Sequence, residues 1–228
     1  MIKLQFDSSH NVIPPTLVLS KRNGTKIGAI PATNIAVSDE FNAYTELTCS
    51  VSKYDNDVEY KYWDELKDFR CIYVPTWDEW LEAKVTVSET NALEKNLLCR
   101  SLCESELSQI MLYDVQINTE DDISRTDYET TVIYDEDNPA GSMLDRLLEK
   151  APHYSIGYVD SRIAGMFRVF DFDNSSIYDV FQEISQECDC IFVFDSGSDE
   201  TGKPKREINV YDLEAYCYEC GKDRKSVV

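Results

Sequence analysis

Apolar residues recur at every second position in the first half of this chain and at every third or fourth position in two segments of its second half. That change of period excludes both an all-helical and an all-strand fold. In Thr45–Ser52, Leu47, Cys49 and Val51 alternate with Thr48, Ser50 and Ser52, the pattern of a strand with one buried face. The runs Thr16–Ser20 and Thr25–Ile30 flank Lys21-Arg-Asn-Gly24. Asn-Gly between two such runs predicts a hairpin, because both residues tolerate positive φ. Further strands are expected at Asn34–Ser38, Arg70–Pro75, Trp80–Ser88 and Lys95–Leu102, with a turn at Glu89–Ala92. Tyr60–Phe69 is ambiguous, with Trp63, Leu66 and Phe69 near helical spacing. A short helix around Glu104–Gln109 and a strand at Met111–Ile117 complete the first half.

Asn118–Asp127 is polar and acidic, and marks the expected domain boundary. Beyond it, Ser142-Met-Leu-Asp145 and Ser176-Ile-Tyr-Asp179 each read as a helix cap with an acid in the first turn, where the helix dipole favours it. Leu144, Leu147 and Leu148 share one helical face, and Pro152 stops that helix. Ile177, Val180, Phe181 and Ile184 follow the i, i+3, i+4, i+7 rule. Cys190–Asp195 reads as a strand, Ser196–Pro204 as a loose polar connection and Arg206–Leu213 as the partner strand. The expected fold class is α+β and β-rich, with a β-rich domain over 1–117, an α+β domain over 118–215 and a Cys-containing tail over 216–228.

Charge restricts the function classes. With 43 Asp and Glu against 22 Lys and Arg, the formal net charge is −21. A nucleic-acid binder needs cations to displace counterions from phosphate, and no Lys/Arg cluster supplies them, so neither direct nucleic-acid binding nor an anionic membrane is expected. No run has the length or apolarity of a signal peptide or a membrane span. The eight cysteines are therefore expected as reduced thiols.

Cys217-Tyr-Glu-Cys220-Gly221 alone has metal-ligand spacing. Two thiolates so spaced can grip one tetrahedral zinc, but zinc takes four ligands and no second pair follows. The expectation is a half-site at most, with no cofactor bound by this chain and zinc reserved for a longer protein. Cys188, Cys190, Cys99 and Cys103 are expected in the core, the first two by strand alternation. His10 and His153 are the only histidines, and neither sits in a Gly-x-Ser-x-Gly or His-Glu-x-x-His context, so no catalytic residue is assigned. The acidic clusters Glu120–Asp122, Asp135–Asp137, Asp171–Asn174 and Ser198–Glu200 do not match an EF-hand and are expected as solvated loops.

The order of segments carries more. Pro15-Thr-Leu-Val-Leu-Ser20, Ile27-Gly-Ala-Ile-Pro31, Glu46-Leu-Thr-Cys-Ser-Val51 and Ser101-Leu-Cys-Glu-Ser-Glu-Leu-Ser-Gln-Ile110 come first. Leu112-Tyr-Asp-Val-Gln-Ile-Asn-Thr-Glu-Asp-Asp122, Leu147-Leu-Glu-Lys-Ala-Pro-His-Tyr-Ser-Ile156, Phe170-Asp-Phe-Asp173, Ser176-Ile-Tyr-Asp179 and Val210-Tyr-Asp-Leu213 follow. Taken together from Pro15 to Gly221, they resemble the N-terminal region of siphophage tail-tip proteins, the tail-associated lysin or prophage endopeptidase tail family. The resemblance implies a hub-like β-barrel domain followed by a small α+β domain, three copies of which close a ring. It implies a homotrimer that continues the tail tube, sits below the distal tail protein and meets the tape-measure protein. The implied place is the virion tail tip, with the bacterial cytoplasm during assembly. The family's lytic or receptor-binding domains lie C-terminal to this region, so no enzymatic activity transfers to any residue here. Cys217 and Cys220 fit the first half of the family's Cys-rich knuckle; the second half is missing, and Lys225–Val228 departs from the pattern. A receptor- or carbohydrate-binding module is the alternative, resting on Trp63, Trp77 and Trp80 as a stacking platform.

Overall fold

In the computed structural model, which describes residues 5–10, 12–39, 45–124 and 131–217, a short exposed hairpin comes first: β1 (Gln5–Phe6) and β2 (Val12–Ile13). The expected Asn-Gly hairpin then joins β3 (Leu17–Ser20) to β4 (Lys26–Ile30). Only Gly24 of its turn takes a positive φ, +87°. Gly24 N–H donates to the Lys21 carbonyl at 2.9 Å and Lys21 N–H to the Thr25 carbonyl at 2.8 Å. Such a turn needs one left-handed residue where a two-residue loop of the I′ type needs two.

The chain continues through β5 (Ala32–Asp39), β6 (Thr45–Ser52), the small pair β7 (Tyr54–Asp55) and β8 (Val58–Glu59), β9 (Arg70–Val74), β10 (Glu79–Val87) and β11 (Glu94–Ser101). The ambiguous Tyr60–Phe69 stretch holds one 3-10 turn, Trp63–Glu65, which buries Trp63. Seven strands form one antiparallel, curled half-barrel sheet in the order β4-β3-β9-β10-β11-β6-β5. Its two margins, β4 and β5, are consecutive in sequence and separated by Pro31 alone. Two peptide links span about 7 Å at most, so the sheet must curl until its margins meet at that corner. Proline suits the corner because it has no N–H to leave without a ladder partner.

Alternation decides the faces. Leu17, Leu19, Leu47, Cys49, Val51, Ile72, Val74, Leu81, Ala83, Leu97 and Cys99 point inward and form the core, closed by Trp63 and Leu66. Leu19, Ile72 and Leu81 stand in one register row, and Ala83, Cys99 and Leu47 in another. Each fully buried aliphatic side chain contributes about 1.5–3 kcal/mol.

Contacts group the chain into two units, Met1–Ser105 with Ser196–Lys205, and Glu106–Asp195 with Arg206–Val228. The first division falls inside α1 (Leu102–Leu107), ahead of the polar stretch at 118. The expected strand Met111–Ile117 is broken into β12 (Met111–Leu112) and β13 (Val115–Ile117) around Asp114, whose φ is +52°. A turn of helix, α2 (Glu120–Ile123), follows, then α3 (Met143–Leu148), β14 (Ser155–Val159), α4 (Ser161–Ala164), β15 (Phe170–Phe172), β16 (Ser175–Ser176), α5 (Ile177–Cys188), β17 (Cys190–Asp195) and β18 (Glu207–Asp212).

Both expected caps are present. Ser142 Oγ accepts from Asp145 N at 3.4 Å and Ser176 Oγ from Asp179 N at 3.1 Å. Ile177, Val180, Phe181 and Ile184 are fully buried, and Phe181 stacks on Phe192 of β17 at 4.8 Å. The expected strand pair β17–β18 gains a third member, β14, parallel to β18. Asn118, at the head of the polar stretch, is 1% exposed. Its Nδ2 donates to the Thr131 and Arg168 carbonyls, both at 2.8 Å, and its Oδ1 accepts from Thr131 N at 3.1 Å. Glu106 takes two bonds from Arg206, at 2.7 and 2.9 Å, and one from the Tyr154 hydroxyl at 2.9 Å. A paired buried carboxylate of this kind is costly to disrupt, because removal of one partner strands the other.

Candidate functional site

The side chains that point away from the core of the first unit lie in successive register rows across the half-barrel. Tyr73 and Trp80 are paired in the first row. Ser20, Cys71, Glu82, Arg100, Glu46 and Ser38 follow. The next row is Lys84, Leu98, Thr48 and Ala36, and the last is Thr86, Asn96, Ser50 and Thr33. The face thus grades from aromatic through charged to hydroxyl and amide.

The aromatic band is covered. Trp80, Cys71 and Leu102 are 0% exposed and Tyr73 packs on them. The cover is Ser196–Lys205, which the sequence presents as a loose connection between β17 and β18. Instead it is an ordered clasp. Trp80 N–H donates to the Ser196 carbonyl at 3.0 Å, and Trp80 Nε1 to Ser198 Oγ at 3.1 Å. Ser196 Oγ meets Ser101 Oγ at 3.1 Å, and Ser198 N–H donates to Asp78 Oδ2 at 3.3 Å. Asp199 ties the clasp internally, accepting from Thr201 N, Thr201 Oγ1 and Lys203 N at 2.8, 2.7 and 2.9 Å. Ser196, Ser198, Asp199 and Thr201 bond one another's segment and the strand ends, which is why polarity there does not mean looseness. A Cβ on Gly24 would lie 3.0 Å from Lys203 Cα and Pro204 Cδ, so the Asn-Gly turn also serves as a seat for the clasp.

The charged band is paired within itself, two arginines against three glutamates. Arg22 pairs with Glu82 at 2.6 Å, and Arg100 with Glu46 and Glu104 at 3.3 and 3.8 Å. Past it lies an open groove of about 390 Å³ lined by Asn34, Thr48, Ser50, Lys84, Thr86 and Asn96, with Cys49, Leu97 and Leu98 at its floor. A β-bulge in β5, between Thr33 and Ala36, forms its margin, with Asn34 at φ +53°. Bulges of this kind re-aim a side chain, here an amide. Ser50 Oγ donates to Asn96 Oδ1 at 2.9 Å.

The sequence-predicted positions lie elsewhere. Cys217 is exposed, and Cys220 is outside the described residues. Among the described residues no group of three or more His, Cys, Asp or Glu is placed to hold a metal ion. Cys49, Cys71, Cys99, Cys103, Cys188 and Cys190 are buried. Burial pushes the Cys49 and Cys190 thiols up to about 12, and raises Cys99 and Cys188 as well. A buried protonated thiol packs as a small apolar group and is neither nucleophile nor metal donor. The core placement of Cys188 and Cys190 does not come from strand alternation. Cys188 ends α5, Asp189 turns left-handed at φ +50°, and Cys190 opens β17.

His10 lies in the exposed β1–β2 hairpin, and His153 Nε2 stands 3.5 Å from Glu106 Oε2. Trp63 and Trp80 are buried and Trp77 packs against the core, so the three do not make an exposed platform. Of the acidic clusters, Asp135 caps its own turn through Asp137 N at 2.9 Å, and Asp173 accepts from Asp114 N at 3.4 Å. No described helix is long and apolar enough to cross a membrane.

No protein-family model and no curated protein matches the chain. Among solved structures, the fold is similar to that of prophage tail protein gp18 from Listeria monocytogenes EGD-e, with a TM-score of 0.53 and 9% identity. The match takes in 88% of this chain and 52% of that one, so the chain spans about half the length of its structural neighbour. What the two share is a fold. The groove is invisible in any sequence motif; its only trace is the hydroxyl and amide identity of outward positions on β6, β10 and β11.

Proposed function

We propose that the chain is a non-enzymatic structural component of a bacteriophage or prophage tail, forming part of a trimeric hub ring that continues the tail tube at the tail tip. The observation that carries this reading is the fold likeness to a prophage tail protein over 88% of the chain. The ordered motif set from Pro15 to Gly221 points the same way. Cys49 and Cys190, buried with their pKa raised, offer no nucleophile. Under this reading the partners are two further copies, the distal tail protein and the tape-measure protein. The −21 charge keeps the chain off nucleic acid and anionic membranes. Zinc at Cys217 and Cys220 would require two further ligands. Lytic or receptor-binding activity, where the tail has it, resides outside this chain.

The test is localisation on assembled particles. Gold-labelled antibody raised against the chain is expected to decorate the tail tip. Label on the capsid, or purified particles that lack the chain, would count against the proposal. The alternative of a carbohydrate-binding module on a tryptophan platform predicts glycan binding that disappears with Trp77→Ala. Its warrant is reduced, because Trp63 and Trp80 serve the core and the clasp.

A further inference from the structure

From the groove on the outer face we infer a binding site for an oxyanion carried on a small hydroxylated molecule, such as a uronic acid or a polyol phosphate. The site stands on the geometry of the first unit and not on assembly into a tail. Its volume, about 390 Å³, lies in the range of small-molecule sites. Rigid strands present most of its lining: Lys84 and Thr86 from β10, Asn96 from β11, Thr48 and Ser50 from β6.

The composition of that lining selects the ligand. Among the described residues Lys84 is the single charged residue of the lining and no carboxylate lines the groove, in a chain with 43 acids against 22 bases. Among the described residues the Lys84 ammonium has neither an ion pair nor a hydrogen bond. The neighbouring charges are already committed, Arg22 to Glu82 and Arg100 to Glu46 and Glu104. An ammonium group with no partner among the described residues, next to hydroxyls and amides, fits one negative group flanked by hydroxyls. A metal cation would meet Lys84 and no carboxylate. Of the apolar lining residues, Cys49 and Leu97 point into the core and Leu98 alone points outward. A nucleic-acid strand would need more cations than one. Asn34 completes the set: the β5 bulge holds a non-glycine residue at φ +53° on the groove's margin and brings an amide to it.

The experiment titrates the full chain, isotope-labelled, with glucuronate and with glycerol phosphate, and with glucose, glycerol and inorganic phosphate as counterparts. Backbone amide shifts at Thr48, Ser50, Lys84 and Asn96 are the readout. One or both hydroxylated anions are expected to shift this set, and which one does so distinguishes uronate from phosphate. Glucose and glycerol should bind about tenfold more weakly, for want of one charge-assisted hydrogen bond. Lys84→Gln should weaken the anion about tenfold, and Lys84→Arg should restore most of the loss. Lys84 is exposed, so both variants keep the fold, and unchanged thermal melting verifies it. Absence of shifts in the groove with either anion overturns the inference. So does binding that Lys84→Gln leaves unchanged, or inorganic phosphate that binds as well as glycerol phosphate.

Discussion

Two halves of one sheet face meet different fates. Over β9 and the start of β10 the outward positions are Cys71, Tyr73 and Trp80, and a ten-residue clasp, Ser196–Lys205, arrives from the far side of the second unit's sequence to cover them. Over β6, β11 and the rest of β10 the outward positions pass from Glu46, Glu82 and Arg100 to Lys84, Leu98 and Thr48 and then to Ser50, Asn96 and Thr86, and the face stays open there. An antiparallel sheet tolerates water on one face only where that face is polar. The aromatic half therefore requires a cover, whereas the hydroxyl half is free to present a groove. The clasp belongs to the fold of the first unit, although its sequence has the composition of a linker.

The largest test of this contrast is Trp80→Ala. Trp80 is 0% exposed and bonds the clasp through both its nitrogens. Its loss should cost about 3–5 kcal/mol in denaturant unfolding. A cost under about 1 kcal/mol would mean that the clasp does not cover a core. Gly24→Ala comes next. Left-handed strain adds about 1–2 kcal/mol, and the new methyl meets Lys203 and Pro204 at 3.0 Å. Its effect should diminish once Ser196–Lys205 is replaced by a short glycine linker, because the steric part then disappears.

Acid should separate the halves more gently. Burial pushes the Asp78 carboxyl up, but the bonds it accepts from Ser198 and Tyr73 outweigh this and hold it below the usual range. A depressed carboxyl contributes stability that is fully present above the unfolded pKa of about 4 and is lost as pH falls through the lower folded value. Asp199 is lowered likewise, chiefly by the Lys203 backbone bond. Below about pH 4 the Trp80 indole N–H resonance should shift toward its exposed position while Ser50 and Asn96, which face no carboxylate in the groove, hold theirs. Simultaneous movement of both sets would erase the distinction. The smallest effect is expected from Thr86→Ala in the open half, within about 0.5 kcal/mol of the parent in the same unfolding assay.

Local chemistry was legible in the sequence; long-range geometry was not. The Asn-Gly hairpin, the alternation of Leu47, Cys49 and Val51, and the Ser142 and Ser176 caps all depend on neighbours a few residues away. The parallel pairing of Ser155–Val159 with β18 has no such local signal. Nor does the clasp, since a loop that satisfies its own polar groups reads like one that water satisfies. Asn118 misleads for a related reason: it opens an acidic stretch, yet its side chain stands in for backbone partners of Thr131 and Arg168. The groove is less legible still. Outward Thr, Ser and Asn mark a solvated strand face, and the Asn34 bulge at the groove's margin has no local sequence signal.

The most direct test of the proposed role is solution mass by light-scattering chromatography, with and without the distal tail protein from the same genome. A trimer, or a complex that forms only with that partner, is the predicted result. A monomer that ignores the partner at high concentration would contradict the hub assignment.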